Sequence, residues 1–273
     1  MSTWEGPLPP PGRPIGPLGA LLIALRGAAL VGVLYGGLLL LLVLRLIERP
    51  LFGAARPWTP KLSRAACRVA LPILGLRYKV RGTPLRAIGA VVANHGSWLD
   101  IFALNACQEV FFVAKAEVAS WAGIGWLARA TGTLFIRRDP KEAKAQQAMF
   151  EARIRAGHHL LFFPEGTSTD GLRVLPFKST LFAAFYSHGL DKVMQIQPVT
   201  VIYRAPAGEN PQFYGWWGSM GFARHLVKVL ACPRRGSVEV VFHPPRNVAD
   251  YPSRKDLCAA CEADVRGALP FNG

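Results

Sequence analysis

Two stretches of this sequence set residues able to move protons or hold anions at short spacing. In Asn94-His95-Gly96-Ser97-Trp98-Leu99-Asp100 a histidine stands five residues ahead of an aspartate. Histidine titrates near neutral pH, and a carboxylate on one ring nitrogen fixes the tautomer that lets the other take a proton from a bound hydroxyl. Five residues of helix rotate by about 500°, leaving the two side chains about 140° apart, so they cannot meet inside a regular helix. The spacing therefore predicts a turn over Asn94 to Ser97 and a helix from near Trp98, with Asp100 reaching back from its first turn. Such spacing alone arises by chance in roughly one chain of this composition in seven.

The second stretch is Phe163-Pro164-Glu165-Gly166-Thr167. Proline ends a strand and glycine lets the backbone turn, so Glu165 and Thr167 are expected to present polar groups, and the turn its N–H groups, to a phosphate or an oxyanion.

Strand-length apolar runs occur at 77–80, 87–93, 110–114, 133–137, 159–163, 195–203 and 237–242, with helix-like stretches near 98–107, 120–130, 140–156, 178–188, 222–231 and 254–268. This alternation predicts an α/β fold: a mostly parallel sheet flanked by helices. Ligands in such folds gather beyond the carboxyl ends of the strands, where His95 and Glu165 both fall. Ser253, three residues ahead of Asp256, has the form of a capping box for the last helix.

Residues 1–17 are proline-rich and predict a flexible leader. Gly27 to Leu44 is uncharged and flanked by Arg26 and Arg45, so residues 18–47 are expected to anchor the chain to a membrane, as one span or as an interfacial hairpin. Residues 48–76, with Lys61, Arg64 and Arg68, predict an amphipathic interfacial segment, and 77–273 the catalytic domain. Basic residues follow the apolar run more densely than they precede it, which places the domain at the cytosolic face, of the inner membrane in a bacterium. The net charge of +15 calls for anionic partners. Because the basic residues are dispersed, membrane lipids are expected and nucleic acid is not. Five scattered cysteines argue against a disulfide framework, and Cys258-Ala-Ala-Cys261 lacks a second ligand pair, so no metal is expected.

His95 and Asp100, Gly132-Thr-Leu-Phe-Ile-Arg-Arg138, Phe163 to Thr167 and Gln197-Pro198-Val199 resemble, in order and spacing, the four motifs of the glycerolipid acyltransferase family. The resemblance implies transfer of a fatty acyl chain from acyl-CoA or acyl carrier protein, the donor substrates, to the hydroxyl of a lysolipid, with no cofactor. It implies His95 as general base, Asp100 as its orienting partner, and acceptor contacts from Arg138, Glu165, Gly166 and Thr167; Lys115, past the strand Phe111-Phe112-Val113, is by its position a further expected contact for an anionic headgroup. The expected acceptor is 1-acyl-sn-glycerol-3-phosphate, giving phosphatidic acid. Members acting on it usually carry arginine after the Phe-Pro-Glu-Gly-Thr run, where this chain has Ser168-Thr169-Asp170. That departure, with Val174 to Ser179, Tyr214 to Met220 and Phe242 to Pro245, is similar to the branch acylating lyso-ornithine lipid, the alternative acceptor.

Two other classes fit less well. A serine hydrolase would need Gly-x-Ser-x-Gly, which is absent, and Ser97 lies only two residues from His95. A basic lipid-binding protein without catalysis would leave the four motifs without a use.

Overall fold

A computed structural model describes residues 3–10, 12, 14–137, 142–186 and 190–270. The apolar runs form strands β1 (Leu76–Arg81), β2 (Gly89–Ala93), β3 (Phe111–Lys115), β4 (Leu134–Ile136), β5 (Leu160–Phe162), β6 (Gln195–Arg204) and β7 (Gly236–Phe242). A short β8 (Arg246–Asn247), too brief to leave a sequence pattern, pairs with β6. Along the sheet the order is β1-β7-β6-β2-β5-β3-β4. Neighbours are parallel except that β6 meets β7 and β8 antiparallel.

The helices are α1 (Pro17–Phe52), α2 (Thr59–Ile73), α3 (Asp100–Cys107), α4 (Ile124–Thr131), α5 (Ala143–Arg155), α6 (Phe222–Ala231) and α7 (Arg254–Gly267). The helix-like stretch near 178–188 is a 3-10 segment over Ser179–Tyr186. Strand periodicity divides the core: Val91 and Ala93 pack on one face with Leu71, Leu99 and Val229, while Ala90 and Val92 pack on the other with Phe182 and Leu257. All of β2 is buried, which accounts for its run of small apolar residues. Ser253 caps α7, accepting from the N–H groups of Lys255 and Asp256, and Cys258 and Cys261 belong to the buried face of that helix.

The amino-terminal region takes the single-helix form of the two that the sequence leaves open. The apolar run is one continuous helix of 36 residues, about 54 Å long, with no turn inside 18–47, and its hairpin partner is α2. The helix lies along the domain. Arg26 Nη1 donates to the carbonyls of Leu230 (3.1 Å) and Cys232 (2.7 Å), Leu30 is buried in the core, and a methyl group on Gly19 would meet Ala231. The opposite face exposes Leu18, Leu21, Leu25, Leu39, Leu46 and Leu51. The leader has no regular structure, yet it is packed: Trp217 Nε1 donates to the carbonyl of Pro7 at 3.0 Å.

Glu48 closes the hairpin. Its buried carboxylate accepts from the backbone N–H of Trp58 (2.6 Å) and Thr59 (2.9 Å), from Thr59 Oγ1 (2.7 Å) and from Arg45 (2.8 Å). Glu48→Ala leaves two backbone donors without that acceptor and is expected to cost about 2–4 kcal/mol. Thermal or denaturant melting checks this; an unchanged melting point would show that the hairpin is held by its apolar contacts alone.

Candidate active site

The site lies where β2 ends. Asn94 pins that end to β6 as a side-chain mimic of a strand pair: its Nδ2 donates to Val201 O (3.0 Å) and its Oδ1 accepts from Val201 N (2.7 Å). The chain then turns through His95, Gly96 and Ser97, and α3 begins at Asp100. Gly96 is required by close approach, because a Cβ there would come within 2.9 Å of the Gly171 Cα.

His95 and Asp100 meet as the spacing predicts, with Nδ1 2.8 Å from Asp100 Oδ2. That oxygen also accepts from the N–H groups of Gly96 (2.9 Å) and Ser97 (3.1 Å), while Oδ1 accepts from the Tyr203 hydroxyl (2.7 Å). Because the buried carboxylate is an acceptor on both oxygens, Nδ1 carries the ring proton and Nε2 keeps its lone pair. Among the described residues no hydrogen bond engages Nε2, and the imidazole stays 20% exposed. Phe163 stacks on the ring with centroids 4.0 Å apart, setting its plane.

Glu165 is placed differently from the expectation that it faces the acceptor. It is buried, with Oε1 accepting from His95 N (2.7 Å) and Oε2 from Leu175 N (2.7 Å). Its carboxylate ties the backbone of His95 to the following loop. Burial pushes this carboxyl up to about 8, against the pull of its two backbone donors. Gly166 adopts φ +73°, and its N–H closes the turn onto Phe163 O (3.0 Å) instead of facing outward. Thr167 is partly exposed, its Oγ1 accepting from Trp4 N at 3.4 Å. Lys115, exposed at the end of β3, reaches the same carboxyl-end rim. Arg138 lies outside the described residues.

Other residues that order the site left no motif in the sequence. Thr169 donates its N–H to His95 O (2.8 Å), and Trp216 N–H donates to Gly96 O (2.9 Å). Trp98 Nε1 donates to buried His225 Nδ1 (2.9 Å), fixing the start of α3 against α6, and burial first, then Lys228, lowers this histidine to about 3. Asp170 is buried too, paired with Arg173 (3.0 Å) and accepting from Gln212 (3.0 Å), so its charge is met within the loop. Tyr203 had a findable signal only in hindsight, as a polar-tipped residue inside the apolar β6 run. Among the described residues no group of three or more histidine, cysteine or acidic side chains converges as a metal site. Open grooves lined by Leu25, Arg26 and Arg235, and by Arg64, Arg86 and His159, do not include His95.

Residues 78–202 match the family model described as Acyltransferase. A lyso-ornithine lipid O-acyltransferase of Rhodobacter capsulatus is 68% identical over 266 residues, covering 97% of this chain and 96% of that protein. The chain belongs to the acyltransferase family. A 1-acyl-sn-glycerol-3-phosphate acyltransferase of Neisseria gonorrhoeae is 40% identical over 181 residues, covering 66% of this chain and 68% of that one. The crystal structure of the 1-acyl-sn-glycerophosphate acyltransferase PlsC of Thermotoga maritima superposes with a TM-score of 0.66 at 22% identity, over 92% of this chain and 94% of the other, and shares the fold. The protein is thus a membrane-associated acyltransferase that transfers an acyl group from a donor to a lysolipid acceptor.

The Glu165 clamp is testable by pH. A carboxyl raised from its ordinary 4.5 to about 8 contributes stability that is complete below about 4.5 and is lost as pH rises through about 8. Glu165→Gln keeps one acceptor oxygen of two and lacks this titration, so it is expected to melt lower than wild type by a margin that narrows from pH 5 to pH 8.5. A margin constant across that range would refute the placement.

Proposed function

We propose that this acyltransferase transfers a fatty acyl chain from acyl-CoA or acyl carrier protein to the free hydroxyl of lyso-ornithine lipid. His95 Nε2 removes the hydroxyl proton, and the oxygen attacks the thioester carbonyl. The tetrahedral adduct collapses with loss of the thiolate, which takes up the proton held on His95. No covalent acyl-enzyme is needed. Asp100 holds the tautomer and offsets the charge of the imidazolium. The observation carrying this mechanism is the 2.8 Å His95–Asp100 contact beside an unengaged Nε2 at the strand-end rim. No ion or cofactor has a role in the scheme.

For the acceptor, the order first read from the sequence, lysophosphatidic acid ahead of lyso-ornithine lipid, is reversed. Identity to the Rhodobacter capsulatus lyso-ornithine lipid enzyme extends along nearly the whole chain, whereas identity to the Neisseria gonorrhoeae enzyme covers two thirds of it. Ser168 supports the reversal, because a hydroxyl cannot replace the two-pronged hydrogen bonding of arginine to a phosphomonoester. Purified protein given labelled acyl donor and a panel of lysolipids should acylate lyso-ornithine lipid with the highest kcat/KM. His95→Ala and Asp100→Asn should each lose about 10²–10⁴-fold in kcat. A His95→Ala enzyme within tenfold of wild type would remove the general-base assignment.

We also propose that α1 beds its exposed apolar face in the cytosolic leaflet without crossing it. A helix crossing the bilayer would part the leader from the domain, yet Trp4 and Pro7 on one side of α1 and Trp217 on the other are in contact. All five native cysteines are buried, so a cysteine at the 92% exposed Leu8 gives a clean label. In Leu8→Cys, an impermeant maleimide should react in inverted vesicles and not in intact cells; the reverse pattern would establish a span.

A further inference from the structure

The leader does more than meet the domain: it crosses the rim that carries the base. Trp4 N–H donates to Thr167 Oγ1 at 3.4 Å, the Trp4 ring lies 6.2 Å from that of Trp217, and the Arg173 guanidinium sits 5.2 Å above the Trp4 ring. Glu5 is next in the chain, its Oε2 within 3.6 Å of where a side chain at Gly218 would begin. These are the loops that hold the base itself. Thr169 donates to His95 O and, through Oγ1, to Arg173 O (3.4 Å), while Trp216 N–H bonds Gly96 O.

Arg173 is held ready for an anion. Its Nε lies 3.2 Å from both oxygens of Asp170 and its Nη2 3.0 Å from one of them, which occupies one edge of the guanidinium. A guanidinium has five N–H groups, so among the described residues the edge formed by Nη1 and the outer hydrogen of Nη2 is left for a second, two-pronged partner. The side chain is 50% exposed, while the Asp170 that fixes it is wholly buried. An aromatic ring beneath the cation removes water from one face and strengthens its hydrogen bonds. Glu5 adds the opposite charge at the same rim.

We propose that Trp4 and Glu5 of the leader, together with Arg173, form the headgroup end of the acceptor site and select a zwitterionic amino-acid headgroup over a phosphomonoester. The headgroup carboxylate takes the free guanidinium edge and its ammonium pairs with Glu5. A phosphomonoester finds the guanidinium but is repelled by the carboxylate of Glu5. This inference rests on the lyso-ornithine lipid reading, since an ornithine acylated at its α-nitrogen carries one carboxylate and one ammonium.

The test measures kcat and KM of the full chain in vesicles for lyso-ornithine lipid and for lysophosphatidic acid. Arg173→Gln is expected to raise KM for lyso-ornithine lipid by roughly tenfold or more, the worth of a charge-assisted hydrogen bond, with kcat held within about twofold. Glu5→Gln should raise the same KM while improving kcat/KM for lysophosphatidic acid, narrowing the preference from the other side. Trp4→Ala should follow Arg173→Gln, and Trp4→Phe should recover most of the loss. Melting points are recorded alongside, because a strap that only packs would shift stability without splitting KM from kcat. Should Arg173→Gln fail to fold, Glu5→Gln decides, since Glu5 is exposed. Changes equal for both acceptors, or an unmoved KM in all variants, overturn the inference and leave the acceptor reading standing. Wild-type enzyme that acylates only lysophosphatidic acid overturns that reading, and this one with it.

Discussion

The turn that carries His95 is organised around the buried carboxylate of Asp100. Asp100 has no exposure to solvent, and an ionised carboxylate taken out of water costs several kcal/mol unless donors replace its hydration. The donors come from separate parts of the chain: the His95 ring, the N–H groups of Gly96 and Ser97, and the Tyr203 hydroxyl on β6. Meeting that demand fixes the path of the turn, the starting point of α3 and the depth of β6 against β2. The imidazole is one of the groups that satisfies the carboxylate, so the proton on Nδ1 and the lone pair on Nε2 are consequences of a folding requirement. His95 is positioned because the aspartate must be solvated by protein.

The backbone of the base is constrained from the other side by the Phe163 to Thr169 turn. Glu165 spends both oxygens on backbone donors, one of them His95 N, and Thr169 holds the His95 carbonyl. With Trp216 on Gly96 O and Phe163 against the ring, the imidazole has little freedom to move. Proton abstraction tolerates errors of well under an ångström, and rigid support of this kind is how side chains are kept within that range. A glutamate in a strand-end turn therefore supports His95 from behind.

Periodicity made the frame legible. Strands with apolar runs flanked by turns were readable because burial of both sheet faces leaves no polar alternation to confuse the pattern, as in Gly89 to Ala93. His95 and Asp100 were readable because helix geometry forces a turn between them. The direction of Glu165 was not, since sequence gives a polar side chain at a turn no sign of whether it points to solvent or back into the protein. Tyr203 and Asn94 act across more than a hundred residues, a distance over which local pattern carries no information. The contacts of the leader leave no sequence pattern for a related reason: proline excludes ladders and helices, but it does not exclude docking, which Trp4 and Pro7 achieve through a ring and a carbonyl.

The division of labour in the fold explains how one frame can take different acceptors. The base is built on β2, β6 and α3, elements whose geometry is set by the core. Groups able to read a headgroup stand on connections with no ladder to maintain: Ser168 to Arg173, Tyr214 to Gly218, and the leader. A change such as serine for arginine after Thr167 alters the charge at the rim without touching a core contact, so selectivity can drift while the reaction is held. The fold itself is kept at 22% identity to PlsC. Strand ends are constrained by the aspartate they must bury, and the loops above them hold the His95 turn through Thr169 and Trp216 while leaving side chains such as Arg173 half-exposed at the rim.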